Sequence, residues 1–492
     1  MAEGAELFWQ LFAVAQVAAS IAVTVHVLLR RRNTVAATAW IGLAWLAPAM
    51  GAVLYLALGI NRIERRGLGL RRRQVAMPDQ PASSVIRPGH LIPLQRAATR
   101  VAGRPLLAGN TVAPLVNGDE AYPAMLAAIA DARVSIALAC YIFRDDAVGR
   151  VFIKALADAT ARGVAVRVLI DGVGGGYFWA GAWRRLRAEG VPVSRFLHSY
   201  LPWRTPLLNL RSHKKLLVVD GRVGFTGGLN IGAENLEDPA SIATPRRRPR
   251  RLLRRRPRLL LRRRRRAIRD THFHLEGPVV GQMMAAFAED WAFAADEELR
   301  GETWFPPAVT VGAAFARVVT SGPDHDIERI KMLMMSAISA ARRRVRVVSP
   351  YFLPDSQLAS TLELAVLRGV EVEIIVPLRS DYRLLDWAMR DGLLMLAHAG
   401  CRVTWGRLPF DHSKLMTVDG AWCLVGSANW DMRSLRLNFE LNVEVMDPAV
   451  VAGIDAMIDA TRRDPLDVRQ LQERHIVVRL RDAAVRLLQP YL

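Results

Sequence analysis

The stretch HKKLLVVD (213–220) is repeated 199 residues further on as HSKLMTVD (412–419). In each copy, six residues separate the aspartate from a tetrad ending in Asn, GGLN (227–230) in the first copy and GSAN (426–429) in the second. A single His-x-Lys is a weak signal, but chance does not explain two copies with the same two intervals. The pattern therefore indicates an internal duplication.

The duplication extends upstream of both motifs, where apolar runs alternate with helical periodicity. The pattern predicts strand, helix and strand at 134–143, 148–162 and 164–171, and again at 345–353, 357–368 and 370–377. Gly163 and Gly369 stand at the two helix exits, where glycine is preferred. We therefore expect an α/β fold whose two pseudo-symmetric halves form one catalytic unit.

The polar residues of the two copies suit chemistry on a phosphodiester. Residues two apart on a strand share a face, so the His and Lys of each motif should point the same way. Two imidazoles, two ammonium groups and two amides would then surround one cavity: His213, Lys215, Asn230, His412, Lys414 and Asn429. The Lys and Asn groups would bind phosphate oxygens, while one His attacks phosphorus and the other protonates the leaving alkoxide. No carboxylate cluster accompanies them, so we expect no metal and no cofactor.

The N-terminal region predicts a membrane hairpin. Residues 7–29 carry no charge, and these 23 residues are enough to span a bilayer. A second uncharged segment, 34–60, would be about 40 Å long as a helix at ~1.5 Å per residue, so we expect tilt or a kink at Pro48. Two spanning helices, a re-entrant hairpin and two buried helices of a soluble core are the alternatives. Arginines follow both segments, and the heavier cluster after the second favours a cytoplasmic catalytic region.

The positive charge of the chain is concentrated in one place. Of the net charge of +21, fifteen units come from arginines between Pro245 and Asp270, which leaves +6 for the remainder. A uniformly basic, nucleic-acid-binding surface is therefore not expected. The arginine run itself is interpreted as a solvated loop or as a segment that contacts an anionic membrane surface.

The three cysteines lie in apolar runs and indicate a reducing compartment.

The sequence resembles the phospholipase D superfamily and, within it, bacterial cardiolipin synthases. The doubled motif with its two tetrads carries the first resemblance. The second rests on five further stretches: PAMGAVLYLALG (48–59), NLRSHKK (209–215), RDTHFHLEGPVV (269–280), RSLRLNFELNVEV (433–445) and LLQPYL (487–492). It implies transfer of a phosphatidyl group from one phosphatidylglycerol to another, giving cardiolipin and glycerol, through a phosphatidyl-histidine intermediate without metal. Phospholipids are then the expected partners, and nucleic acid is not.

The resemblance also implies residue roles. His213 would be the nucleophile and His412 the general acid, although the residues alone are symmetric on this point. Glu440, 28 residues after His412, matches the carboxylate that orients that histidine, and the equivalent Asp270 would orient His213. Asp270 lies 57 residues after His213, so the excess points to an arginine-rich insertion at about 241–269. For the motif aspartates, Asp220 and Asp419, electrostatic support of catalysis and capping of the following turn remain open.

The expected organisation has four parts: a membrane hairpin (1–66), a linker with prolines at 78, 81 and 88 (67–110), a first half (111–300) and a second half with a basic tail (301–492). We expect a multi-pass protein of the bacterial inner membrane. Another phospholipase D-type phosphatidyltransferase or a phospholipid hydrolase is the nearest alternative, and a nuclease of the superfamily would not need the hairpin. A catalytically silent lipid-binding protein would be expected to lack a His or Lys in one motif, and both motifs are intact.

Overall fold

The computed structural model describes residues 2–30, 34–56, 89–198, 210–237, 267–323, 326–487 and 489. It forms two compact units, residues 1–69 and 70–492, which are described separately. Three predictions fall outside the described residues: the arginine clusters that follow the two apolar segments, the boundaries of the predicted hairpin beyond residue 56, and the arginine-rich insertion over 241–266.

The N-terminal unit contains three helices, α1 (Ala2–Arg30), α2 (Thr34–Leu46) and α3 (Pro48–Leu54). The segment 6–29 of α1 is long and apolar enough to span a membrane, and it is the only such segment in the described ranges. The second apolar segment is broken between α2 and α3, directly before Pro48, as the proline predicts. α1 folds against both other helices. The Ser20 hydroxyl donates to the Ala44 carbonyl of α2 at 2.6 Å, and Nδ1 of His26 is 2.6 Å from the hydroxyl of Tyr55 at the end of α3.

The first half of the catalytic unit contains nine strands among the described residues. They are β1 (Leu107–Val116), β2 (Ser135–Cys140), β3 (Ala165–Asp171), β4 (Val193–Phe196), β5 (Arg211–Ser212), β6 (Leu216–Val219), β7 (Val223–Gly227), β8 (Ile268–Arg269) and β9 (Thr271–Glu276). One helix, α4 (Ile92–Ala102), lies before β1. The helices after β1 are α5 (Asn117–Asp131), α6 (Ala147–Ala161), α7 (Gly181–Ala188) and α8 (Val279–Ala295).

The second half repeats this arrangement. Its strands are β10 (Ala314–Ser321), β11 (Arg344–Val348), β12 (Phe352–Leu353), β13 (Glu371–Pro377), β14 (Arg402–Gly406), β15 (Phe410–Asp411), β16 (Leu415–Val418), β17 (Trp422–Gly426), β18 (Trp430–Asp431), β19 (Asn438–Met446) and β20 (Arg462–Pro465). Its helices are α9 (Arg329–Ala340), α10 (Ser356–Leu367), α11 (Arg383–His398), α12 (Met432–Arg436), α13 (Pro448–Thr461), α14 (Val468–Gln472) and α15 (Ile476–Arg486).

One continuous sheet joins the two halves. The first half has the order β4-β3-β2-β6-β7-β9-β1, and the second continues it in mirrored order as β10-β19-β17-β16-β11-β13-β14-β20. The antiparallel pair β1 and β10 forms the junction, with Leu107 opposite Ala316. The predicted α/β fold with two pseudo-symmetric halves is therefore confirmed, and pairing of their strands makes them one catalytic unit.

The predicted strand–helix–strand units are present in both halves. Helix α6 is capped by the Asp146 carboxylate, which accepts from the Gly149 amide at 3.0 Å, and Asp355 caps α10 in the same way through Leu358. Gly163 follows α6 with φ of 86°, a left-handed conformation that favours glycine. The apolar faces of these helices pack on the sheet and form one core cluster in each half.

The predicted linker over 67–110 is wrong at its C-terminal end. Residues 89–102 form a short 3₁₀ turn and α4, and β1 begins at Leu107. Leu91, Leu94 and Ala98 lie on one face of this segment and are buried in the core cluster of the second half. The prolines upstream suggested an irregular chain, whereas this three-to-four-residue apolar spacing is what fixes the helix.

Candidate active site

His213 lies between β5 and β6, where its ring is held by the second half. Nδ1 is 3.0 Å from Oε2 of Glu440 and 3.1 Å from the Ser427 carbonyl oxygen. Both of these atoms are acceptors, so Nδ1 carries the proton and Nε2 keeps its lone pair. Burial lowers the pKa of His213 to about 4, against the opposing charge of Glu440, and the imidazole is therefore neutral near pH 7.

His412 lies between β15 and β16, where its ring is held by the first half. Nδ1 is 2.8 Å from Oδ2 of Asp270 and also 2.8 Å from the Nζ atom of Lys414. An acceptor and a donor thus face the same ring nitrogen, unlike the two acceptors at His213. Burial lowers the pKa of His412, and Lys414 lowers it further, while Asp270 acts in the opposite direction.

The expected pairing of carboxylates with histidines is wrong, because each carboxylate serves the other half. Sequence spacing assigned Glu440 to His412 and Asp270 to His213, and the structure exchanges them. The reason is a pair of short parallel strand contacts between the halves, β5 with β19 and β8 with β15. The amide of His213 donates to the Phe439 carbonyl, and that of His412 donates to the Arg269 carbonyl, directly before each carboxylate.

The two carboxylates are themselves held in place. Glu440 is fully buried and accepts from the Ser427 hydroxyl at 2.5 Å and from the Asn438 amide at 3.1 Å. Burial alone would raise its pKa, but His213, Lys215 and Ser427 outweigh burial and lower it. Asp270 lies against Gly228, where an added Cβ would stand 2.0 Å from Oδ1. The small residue of the GGLN tetrad thus makes room for Asp270.

Both motif lysines are buried beside the histidines. The ammonium group of Lys215 donates to the His213 carbonyl at 2.7 Å, and that of Lys414 donates to the His412 carbonyl. Burial lowers the pKa of Lys215 to about 7 and also lowers that of Lys414. Lys414 contributes to the lowered pKa of His213, and Lys215 to that of His412. The two motifs therefore act on each other electrostatically, as residues of a single site do.

The motif aspartates lie away from this site and have a structural role. Asp220 and Asp419 adopt left-handed backbone conformations after β6 and β16, with φ of 51° and 54°. The carboxylate of Asp220 accepts from the backbone amides of residues 133–135 at the start of β2, and that of Asp419 accepts from those of residues 342–344 at the start of β11. His90 adds a contact of 2.8 Å to Asp419. Their oxygens are engaged by the backbone at the far end of each strand, which favours the structural alternative for this pair.

The two asparagines, which end the tetrads, make different contacts. Oδ1 of Asn230 accepts from the Ile142 amide at 3.1 Å, which fixes the orientation of its side-chain amide. Nδ2 of Asn429 donates to the Ser434 hydroxyl at 3.2 Å. The Oδ1 atom of Asn429 is buried and has no hydrogen-bond partner among the described residues.

Sequence reasoning missed several residues that touch the histidines, among them Phe410, whose ring lies 5.8 Å from that of His412 between centroids. Ser427 contacts His213 through its carbonyl and Glu440 through its hydroxyl. Tyr141 meets the ring of His213 edge-on at 5.0 Å between centroids, and Tyr351 meets that of His412 at 5.9 Å. The only available signal was a tyrosine after each buried strand, which by itself is equally typical of core packing.

The loop that follows β3 leaves two large side chains in solvent. Phe178 is 74% exposed and Trp179 is 80% exposed. The loop begins beside the first motif, because the carboxylate of Asp171 at the end of β3 accepts from the Ser212 amide at 2.8 Å. Core packing therefore does not explain this aromatic pair.

The family described as "Cardiolipin synthase, PLD-like domain" matches residues 125–241 and 334–462. A cardiolipin synthase of Geobacillus kaustophilus is 30% identical over 99% of this chain and 95% of its own length. Cardiolipin synthase A of Pseudomonas aeruginosa is 33% identical over 94% of this chain and 91% of its own. A solved phosphatidylserine synthase of Haemophilus influenzae covers 81% of this chain and 100% of its own, with a TM-score of 0.59 and 14% identity, which is a likeness of fold.

Proposed function

The chain belongs to the cardiolipin synthase family with phospholipase D-like domains, and we propose how its residues transfer a phosphatidyl group. The reaction joins two molecules of phosphatidylglycerol into cardiolipin and releases one glycerol. One observation carries the proposal: two histidines, each held by a carboxylate of the other half, lie with two buried lysines in one site.

In the first step, Nε2 of His213 attacks the phosphorus of one phosphatidylglycerol. A phosphorus–nitrogen bond forms, the bond to glycerol breaks, and His412 donates a proton to the departing oxygen. Two features support His213 as nucleophile. Its Nδ1 proton is fixed by two acceptors, and its low pKa keeps Nε2 unprotonated.

In the second step, the terminal hydroxyl of another phosphatidylglycerol attacks the same phosphorus. His412, now neutral, accepts the proton of that hydroxyl, the phosphorus–nitrogen bond breaks, and His213 is restored. One phosphodiester replaces another, so the reaction is close to balance and needs no nucleotide. Asp270 supports this exchange, because a carboxylate beside Nδ1 stabilises the protonated form of His412.

Lys215, Lys414, Asn230 and Asn429 bind the phosphate oxygens in this proposal. Burial lowers the pKa of both lysines in the free site, and an entering phosphate supplies the negative charge that favours their protonated forms. Such preorganised donors are most effective where negative charge grows in the transition state.

A membrane location follows from the lipid substrates, and the apolar helix α1 supports it. We place the protein in the bacterial inner membrane as a multi-pass protein with a cytoplasmic catalytic unit. The catalytic unit would also meet an anionic membrane surface, for which exposed Phe178 and Trp179 are suited, since aromatic rings favour the membrane interface.

The proposed reaction is tested with the purified full-length chain and phosphatidylglycerol as the only phospholipid in mixed micelles. Cardiolipin and glycerol should appear in equal amounts. Phosphatidic acid as the main product would make the protein a hydrolase. A requirement for added phosphatidylethanolamine would demand a different donor.

A further inference from the structure

A tyrosine–carboxylate pair stands beside His412. The Tyr351 hydroxyl donates to Oδ1 of Asp381, and the Tyr351 ring meets the His412 ring edge-on at 5.9 Å between centroids. Tyr351 is buried, whereas Asp381 lies in the exposed turn between β13 and α11. Burial and the charge of Asp381 raise the pKa of Tyr351 well above its ordinary value, so the phenol keeps its proton.

The first half has the same strand order as the second but no hydrogen-bonded tyrosine–carboxylate pair at this place among the described residues. The fold therefore does not require the pair of Tyr351 and Asp381. Cys140 and Ser349 occupy equivalent positions, since each donates to the carbonyl two residues further on, that of Ile142 and that of Tyr351. Ile142 thus stands at the position equivalent to Tyr351. Tyr141, which meets the His213 ring from the neighbouring position, forms no hydrogen bond to a carboxylate among the described residues. The loop at 172–180, which follows β3 as the turn with Asp381 follows β13, contains no acidic residue.

The charge of Asp381 is unexpected in a site that binds anionic phosphates. The negative charge of Asp381 acts on a residue of the site, Lys414. Burial lowers the pKa of Lys414, and Asp381 is one of the carboxylates whose charge raises it. Within the described ranges, no lysine or arginine forms an ion pair with Asp381. A carboxylate repels a phosphate, but it accepts strong hydrogen bonds from hydroxyl groups.

We propose that Asp381 and Tyr351 form a subsite for the hydroxyl groups of the acceptor, so that a vicinal diol is favoured over water or a monohydric alcohol. The inference rests on the proposed function, in which the second phosphatidylglycerol is that acceptor. Its terminal hydroxyl gives its proton to His412. The neighbouring hydroxyl donates to the Asp381 carboxylate, and the phenol oxygen of Tyr351, whose own proton goes to Asp381, can accept. Water has no second hydroxyl, so this subsite also favours transfer over hydrolysis.

The test uses two small acceptors in competition. The full-length enzyme acts on phosphatidylglycerol in mixed micelles that contain equal amounts of 1,2-propanediol and 1-propanol, and mass spectrometry counts the two phosphatidyl alcohols. The wild type should favour the diol. Asp381→Asn and Tyr351→Phe should each lower the diol-to-propanol ratio by about tenfold, the usual scale of one hydrogen bond to a charged group.

Glu371→Gln is the matched control, because Glu371 is an exposed acid at the opposite end of β13, where it pairs with Arg402. Its ratio should equal that of the wild type. A wild-type ratio near one, or an unchanged ratio in both Asp381→Asn and Tyr351→Phe, would overturn the subsite. Failure of the wild type to form cardiolipin from phosphatidylglycerol alone would instead contradict the proposed function.

Discussion

The two histidines of this site differ in the groups that surround the ring nitrogen Nδ1. Nδ1 of His213 faces two acceptors, the Ser427 carbonyl and Glu440, whereas Nδ1 of His412 lies between Asp270 and the ammonium of Lys414. The first arrangement fixes a neutral tautomer with a free Nε2. The second places a carboxylate and a cation at one nitrogen, which suits a histidine that gains and loses a proton during the reaction.

The sequence singled out four side chains that the structure brings together, His213, His412, Asp270 and Glu440, but it failed on their pairing. The intervals from His213 to Asp270 and from His412 to Glu440 correspond once the insertion is removed, so chain distance favours pairing within each half. The strand contacts between the halves, β5 with β19 and β8 with β15, determine which carboxylate lies beside which histidine. Each of those contacts pairs only two residues per strand, which is too short for a hydrophobic period in the sequence to predict it.

Asp270→Asn should move the alkaline limb of the pH profile of kcat to lower pH. The Asp270 carboxylate stabilises the protonated form of His412, so its loss lowers the pKa of His412, and a neutral histidine cannot act as general acid. A shift of about one pH unit is expected. The measurement is kcat between pH 5 and 9. If Glu440→Gln moves this limb and Asp270→Asn does not, the exchanged pairing is not used in catalysis.

Gly228→Ala should reduce kcat by about 100-fold, because a Cβ placed 2.0 Å from Oδ1 of Asp270 must displace the group that orients His412. Gly453→Ala is the control, since no atom lies within 4 Å of an added Cβ in α13. Both variants are compared by steady-state turnover and by thermal unfolding. Full activity in folded Gly228→Ala would contradict the role given to Asp270.

At the scale of elements, the long helices and strands were predictable and the short connections were not. The units from β2 to β3 and from β11 to β13 follow apolar runs with clear periods. α4 was assigned to a linker because three prolines precede it, although Leu91, Leu94 and Ala98 already have helical spacing. The strands β5, β8 and β15 form because the two halves meet, so their cause lies in tertiary structure.

The aromatic loop after β3 should help to hold the enzyme on its substrate surface. Replacing both Phe178 and Trp179 with Ser removes two large exposed apolar side chains, so the apparent KM for phosphatidylglycerol in mixed micelles should rise several-fold. Leu367→Ser is the control, because Leu367 is 79% exposed at the end of α10, near the N-terminal end of β13. An equal KM for the double variant and the control would exclude membrane contact by this loop.

At the scale of the whole molecule, the continuous sheet explains how each half supplies a carboxylate to the histidine of the other. The pairing of β1 with β10 joins the halves through the backbone, and the contacts of β5 and β8 then exchange the carboxylates. A duplicated sequence predicts symmetry of this kind. It does not predict the asymmetry that Tyr351 and Asp381 introduce on one side.

The arginine run remains a prediction about the whole molecule, because 241–266 lies outside the described residues. Deleting 245–266 should leave folding and turnover intact, since the second half covers the equivalent stretch, from His412 to Glu440, in 28 residues and has no counterpart of this run. Each arginine near an anionic surface contributes about 1 kcal/mol at most, and salt screens this attraction. In anionic mixed micelles, the apparent KM of the full chain should rise with salt, and the deletion should flatten that dependence. Identical salt dependence would leave the run a solvated loop.

Covalent bonding of His213 to phosphorus, with His412 serving the leaving group, can be detected with a phosphatidyl ester of p-nitrophenol. This alcohol leaves without a proton, so His412→Asn should release one equivalent of nitrophenol in a burst and then stall. Mass spectrometry of the stalled protein should find the phosphatidyl group on His213, and His213→Asn should give no burst. A burst in His213→Asn with the phosphatidyl group on His412, or no burst in His412→Asn, would contradict the roles of His213 as nucleophile and His412 as general acid.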